Sequence, residues 1–152
     1  MIKDLSFSAY IFPVHDGRIA VLKYGENGYG LIGGRLDKGE DFVTALHREL
    51  TEELGTKAAK LANIATEIKP PYSFTHTSLE RAEKRGALAE EHHFFIATVP
   101  EGMQITFCED RPENISVVWL TPTELTSPVV TPIPDLREFY KQNIIPIIAQ
   151  AK

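Results

Sequence analysis

The sequence predicts an α+β fold, and three observations carry that reading. Apolar, β-branched runs of strand length recur along the chain, an early hairpin joins the first two, and two or three helical stretches break the series without alternating regularly with it. With 152 residues, 43% hydrophobic and 24% charged, the chain has the size and make-up of one domain, 1–152, with its own core. Sixteen basic residues face 21 acidic ones, a net charge of -5. That balance argues against a nucleic-acid binder or a membrane-surface protein, both of which need a basic excess. An anionic substrate would have to be met by a bound cation or a local basic patch.

Residues 5–14 read as the first strand, His15-Asp16-Gly17 as a turn, and residues 18–23 (RIAVLK) as the returning strand. Gly25, Gly28 and Gly30 mark a loop before the short apolar run Leu31-Ile32, and Gly33-Gly34 permits a close backbone approach. Asp41 is placed to cap a helix over residues 42–54, with Phe42, Val43, Leu46, Leu50 and Leu54 as its buried stripe and Gly55 as its stop. Residues 60–68 read as a strand broken by Lys69-Pro70-Pro71, since Pro70-Pro71 cannot serve a central ladder. Residues 77–88 read as a short helix and residues 91–99 as a strand. A weaker strand over 104–108, an acidic loop over 109–114 and a strand over 115–120 follow. Thr121-Pro122-Thr123-Glu124 looks like a capped short helix, and a last helix over 135–143 should end or kink at Pro146.

The stretch GRLDKGEDFVTALHRELTEELG carries the chemistry. Five residues separate Gly34 from Glu40, seven separate Glu40 from Arg48, and Glu49, Leu50, Glu52, Glu53, Leu54 and Gly55 follow closely. On a helix, Glu49, Glu52 and Glu53 fall within an arc of ~100°. Carboxylates at i, i+3 and i+4 also occur on plain solvated helix faces. Two features point elsewhere. Glu49 and Glu53 repel at i, i+4 by ~0.2–0.5 kcal/mol, with no lysine at i+4 from any of the three to relieve them. A chance match of so many fixed positions is on the order of 10⁻⁹ per start. Three such carboxylates suit a hard divalent cation.

This pattern resembles the Nudix box, complete over residues 34–56, of hydrolases that cut nucleoside diphosphates linked to another moiety. It departs at Ile32, where the family often has proline, and at Thr56, where it usually has an aliphatic residue; both are packing positions. The resemblance implies an α/β/α sandwich with a mixed β-sheet and a catalytic loop-helix-loop. It implies metal binding by Glu49, Glu52, Glu53 and the backbone carbonyl of Gly34, and structural roles for Glu40, Arg48 and Gly55. The cofactor would be Mg²⁺ or Mn²⁺. The general base would be a box glutamate or an acidic residue of a later loop, where Glu113, beside Glu109 and Asp110, is the candidate. The reaction expected is water attack on phosphorus in a nucleoside triphosphate, ADP-ribose, a dinucleoside polyphosphate or a similar derivative. The alternative is a non-catalytic, nucleotide-sensing module, which commonly lacks one or more of these glutamates.

Substrate identity is left open. Pro71 and Tyr72 resemble, respectively, markers of the ADP-ribose and dinucleoside-polyphosphate members, and the two together choose neither. The segment 70–89 is too long for an ordinary connection and offers Tyr72 and Phe74 for stacking a base and Arg81 and Arg85 for phosphate. A mobile, solvated insert or a homodimer contact is the competing reading of that segment. His92 and His93 alternate across a strand, so at most one faces any site. Cys108 is the only cysteine, so no intramolecular disulfide forms, which fits a reducing cytoplasm; it is expected to be buried as a small apolar residue. No signal peptide and no membrane span are read in the sequence.

Overall fold

Alternation along the first strand sets the architecture. In the computed structural model, which describes residues 2–26, 28–111 and 114–150, strand β1 (Lys3–His15) buries Ala9 and Ile11 on one face and Phe12 and Val14 on the other. Strand β2 (Arg18–Tyr24) does the same with Ala20 and Leu22 against Ile19 and Val21, and β6 (Ala87–Thr98) with Phe95 and Ala97 against Phe94 and Ile96. A sheet apolar on both faces must be covered on both. Helix α1 (Phe42–Leu54) covers the first through Leu46, Leu50 and Leu54, extended by the 3₁₀ turn Ala58–Lys60 and α2 (Leu61–Ile64). The second is covered by Leu125 of α4 (Pro122–Leu125) and by Tyr140, Ile144 and Ile148 of the C-terminal helical stretch. The result is the α/β/α sandwich.

The sheet is mixed. β3 (Tyr29–Gly30), β2, β1, β6 and β5 (Thr66–Thr75) lie in that order, while β4 (Ile32–Arg35) pairs with β1 and β7 (Ile115–Leu120) with β2. Among the described residues, only β1 and β6 run parallel. β6 takes one edge of β1 along nearly its whole length; β4 and β2 share the other, at Ser8–Ile11 and Val14–His15. The turn into β2 has Asp16 and Gly17 both at positive φ, the conformation whose twist matches a two-residue hairpin.

Several expectations need correction. Residues 60–64 are helical, not strand: Ala58, Ala59, Leu61 and Ala62 bury against α1, and β5 starts only at Thr66. The prolines do not end β5, because it is an edge strand and a register shift between Ile68 and Tyr72 absorbs them. Segment 70–89 is therefore no free loop: its first part continues β5, and its second forms α3 (Leu79–Arg85), capped by Ser78 and ended by Gly86. Residues 104–108 lie outside the sheet. Val43 is exposed, its place in the α1 stripe taken by Ala45. At the C-terminus, α5 (Pro134–Phe139) passes into a π turn (Tyr140–Ile144) before α6 (Ile145–Ile148). The wider turn lies just ahead of Pro146, which has no N–H for the helical ladder.

Gly33 is the tightest point of the scaffold. Its φ is +133°, and a Cβ there would lie 2.2 Å from the Ala9 carbonyl oxygen. Backbone cannot yield as a side-chain tip can, so Gly33→Ala should cost more than ~2 kcal/mol in a urea titration. Gly17→Asn, at φ +75° with nothing within 4 Å, should stay within about 0.5 kcal/mol of the parent.

Candidate active site

The box folds around one guanidinium. Arg48, on α1, donates from Nε to Glu40 Oε2 at 2.8 Å and from Nη2 to Glu40 Oε1 at 2.9 Å. Nη2 also donates to the Arg35 carbonyl at 2.9 Å, and Nη1 to Glu49 Oε1 at 2.9 Å. Asp37 Oδ2 lies 3.1 Å from Nε. The bidentate fork joins loop to helix, and the third nitrogen turns the Glu49 carboxylate inward. Hydrogen bonding to Arg48 and to the Asp37 N–H lowers the Glu40 carboxyl to about 2. Asp41 caps the helix by accepting from the Thr44 N–H at 2.8 Å.

Glu49 and Glu53 converge on the glycine pair of β4. The Gly33 N–H donates to Glu53 Oε1 at 2.9 Å, and a Cβ on Gly34 would stand 2.6 Å from Glu49 Oε1. The missing side chain is thus what lets Glu49 reach the backbone. Burial raises the Glu53 carboxyl to about 8, against the opposing pull of the Gly33 N–H; Glu49 is also raised by burial, with Arg48 opposing. Two half-desolvated carboxylates next to each other resist ionisation unless positive charge joins them.

Glu52 takes a different course. Its side chain is half exposed, and Arg48 draws the carboxylate to 3.6 Å from Nη1. Among the described residues, no three His, Cys, Asp or Glu side chains stand grouped closely enough to hold a metal ion. The helical arc is as the spacing requires, but Arg48, one turn back, competes for Glu52. Hard carboxylate oxygens, the glycine cradle and the burial that raises Glu49 and Glu53 all suit a divalent cation.

The acidic loop reaches the site through a residue the sequence reading treated only as a neighbour. The Cys108 N–H donates to the Glu53 carbonyl at 2.8 Å, which ties the loop to the end of α1. Glu109 consequently raises both Glu49 and Glu53 electrostatically, and Arg111 lowers Glu53. Glu113 lies outside the described residues. Cys108 is exposed rather than buried, because its loop lies along the surface of α1's end.

The substrate candidates lie on the other face of the sheet from α1. Tyr72 and Phe74 pack on each other at 5.6 Å between centroids, with His92 beside both and Phe139 against Tyr72. Arg85 is already engaged: its Nε and Nη2 donate to the buried Glu90 at 3.1 and 3.0 Å, and His76 and His92 approach the same carboxylate. Burial alone would raise Glu90, but these hydrogen bonds outweigh it and bring the carboxyl to about 2. Arg81 is exposed on α3. His93 faces α1, stacked on Phe42 at 3.9 Å between Glu67 and Glu91. Each histidine thus has ordinary sheet partners.

The NUDIX domain family matches residues 5–142, and the chain belongs to that family. By class, this fold with this box is a Nudix hydrolase. Among solved structures, the E. coli dihydroneopterin triphosphate pyrophosphohydrolase is similar at 19% identity, covering 92% of this chain and 97% of that one, with a TM-score of 0.59. A MutT protein from Methanosarcina mazei Go1 is similar at 16%, covering 93% and 94%, TM-score 0.61. The NUDIX domain of Shewanella oneidensis NrtR, complexed with ADP ribose, is similar at 16%, covering 93% and 88%, TM-score 0.56. At these identities the likeness is one of fold. No curated protein matches the sequence significantly. Among the described residues, no helix is long and apolar enough to cross a membrane.

Three outcomes follow from the geometry. The folded protein keeps a proton on Glu53 that the unfolded chain has lost between pH 4.5 and about 8. Without divalent cations, stability should therefore fall as pH rises through that window, and the slope should flatten in Glu53→Gln; thermal melts across the range check it. Arg85→Ala should cost about 2 kcal/mol in urea, discounted for the partial exposure of Arg85, because it leaves Glu90 buried without its cation. Arg81→Ala should change stability by less than about 0.5 kcal/mol.

Proposed function

We propose that the protein hydrolyses a diphosphate linkage in a nucleoside diphosphate derivative, using Mg²⁺ or Mn²⁺ held by Glu49, Glu52, Glu53 and the Gly34 carbonyl. The observation that carries this is the buried Glu53 and half-buried Glu49 carboxylates aimed at the Gly33–Gly34 backbone, inside a box whose Glu40–Arg48 fork is intact. When bound, the cation would neutralise diphosphate charge and lower the pKa of the attacking water. The side chains do the rest. Arg48 fixes the orientation of Glu49, the Gly33 N–H fixes that of Glu53, and a rotation about the Glu52 side chain would bring it in from Arg48. For the general base, Glu109 joins Glu113 and the box glutamates as a candidate, since its charge is felt at both Glu49 and Glu53.

Substrate choice falls to the face opposite α1. A pocket of about 280 Å³ lies there, lined by Tyr29, Leu31, Val130, Ile133, Leu136 and Tyr140 among others. Leu31 joins β3 to β4 and is three residues before Gly34, so a planar apolar group seated in the pocket would hang its phosphates toward the box. Tyr72, packed on Phe139 of α5, would shape the same side, and Phe74 would support it. The non-catalytic sensing module remains the second reading; the full carboxylate set weighs against it.

A panel tests the proposal: nucleoside triphosphates, ADP-ribose, dinucleoside polyphosphates, NADH and nucleotide sugars, with Mg²⁺ or Mn²⁺ and phosphatase-coupled phosphate release. At least one should turn over, and Glu53→Gln should lower kcat by at least about 100-fold without loss of fold. Tight binding of a panel member with no turnover would establish the sensing module instead. Tyr72→Ala and Leu136→Trp should raise KM or reorder the panel while kcat on the best substrate stays within a few-fold. Unchanged constants in both would remove this face from substrate recognition.

A further inference from the structure

We propose that a second cavity, between the start of β1, the box loop and the end of α3, is an anion site that takes a phosphate group. Its volume is about 530 Å³, within the ~300–1,000 Å³ usual for small-molecule sites, and Lys3, Ser6, Arg35, Lys38, Glu40 and Gly86 are among the residues that line it. Lys3, Arg35 and Lys38 come from separate positions on β1, β4 and the loop, yet open onto one space.

Charge accounting makes the cavity positive. Among the described residues, none of the three cations has a carboxylate within ion-pair distance. Arg35 donates only to the backbone carbonyl of Arg85. The two acids on the wall, Asp37 and Glu40, lie 3.1 and 2.8 Å from Arg48, so the lining carries three cations against two carboxylates already engaged elsewhere, a net of +1. In a chain of net charge -5 that is a local field opposite to that of the whole molecule.

Position gives the site a use. Arg35 directly follows Gly34, and Glu40, on the cavity wall, shares Arg48 with Glu49. A phosphate here would therefore sit one residue beyond the proposed cleavage point, behind the box loop. Two sources fit: a distal phosphate of a substrate with a long phosphate chain, which rests on the proposed hydrolase reading, or free inorganic phosphate, which does not.

Binding of inorganic phosphate to the metal-free protein, followed by calorimetry, tests the site without reference to turnover. The parent should bind, and the exposed pair Lys3→Ala/Lys38→Ala should weaken affinity by about 10-fold or more with an unchanged melt. No binding by the parent, or equal affinity in parent and double variant, overturns the site. The source is then read from kinetics on the panel. If KM rises at least about 5-fold only for substrates with three or more phosphates, the site holds a distal phosphate. If KM is unchanged but inhibition by added phosphate disappears, it holds the free anion.

Discussion

Arg48 is the interaction on which the local architecture depends. A loop of five residues between Gly34 and Glu40 has little apolar side chain to anchor it, so its course must be fixed by polar contacts. One guanidinium does this by gripping Glu40 with two nitrogens, holding the Arg35 carbonyl and reaching Glu49. Lysine could offer charge but not that fork, because an ammonium cannot address a carboxylate side-on and a carbonyl at once. Being rooted on a packed helix, Arg48 transfers the rigidity of the core to a loop that has none of its own.

Helix α1 serves core and site with adjacent residues, and this creates the electrostatic tension of the molecule. Leu46, Leu50 and Leu54 bury its apolar stripe, which carries Glu53 into an almost fully buried position beside them. The helix gains stability from the stripe while Glu53 loses hydration, so an ionised Glu53 is disfavoured until positive charge joins it. Glu40 shows the opposite case: with Arg48 and a backbone N–H as partners, its charge is favoured. Two glutamates of one motif thus differ widely in their preference for charge, solely through what surrounds them.

The same contrast holds between the two faces of the sheet. Beneath α1 the polar groups gather at the glycine pair of β4; on the other face, aromatic rings surround a buried Glu90 already matched by Arg85. β1 lies between them, and its pairing with Gly33 and Gly34 ties one to the other.

Local signals told the sequence reading most of the fold. The strands β1, β2 and β6, the Asp41 cap, the Gly55 stop, the 42–54 helix and the Thr121 capping box are each written within a few neighbouring residues, and each forms, although β6 starts at Ala87 rather than at 91. The box, too, was legible as a spacing. What remained for the tertiary structure were matters of competition at a distance. Residues 60–64 are apolar enough for either element, and only the surface offered by α1 makes them helical. Arg85 looked available until Glu90 came to lie beside it, and Glu109 looked peripheral until the Cys108 N–H docked its loop on α1. Glu49, Glu52 and Glu53 share one helical arc by sequence, yet burial and the reach of Arg48 separate the exposed carboxylate from the two beside the glycines. Spacing determines which way a side chain leaves the backbone; which partner it finds depends on the packing of segments far apart in the chain.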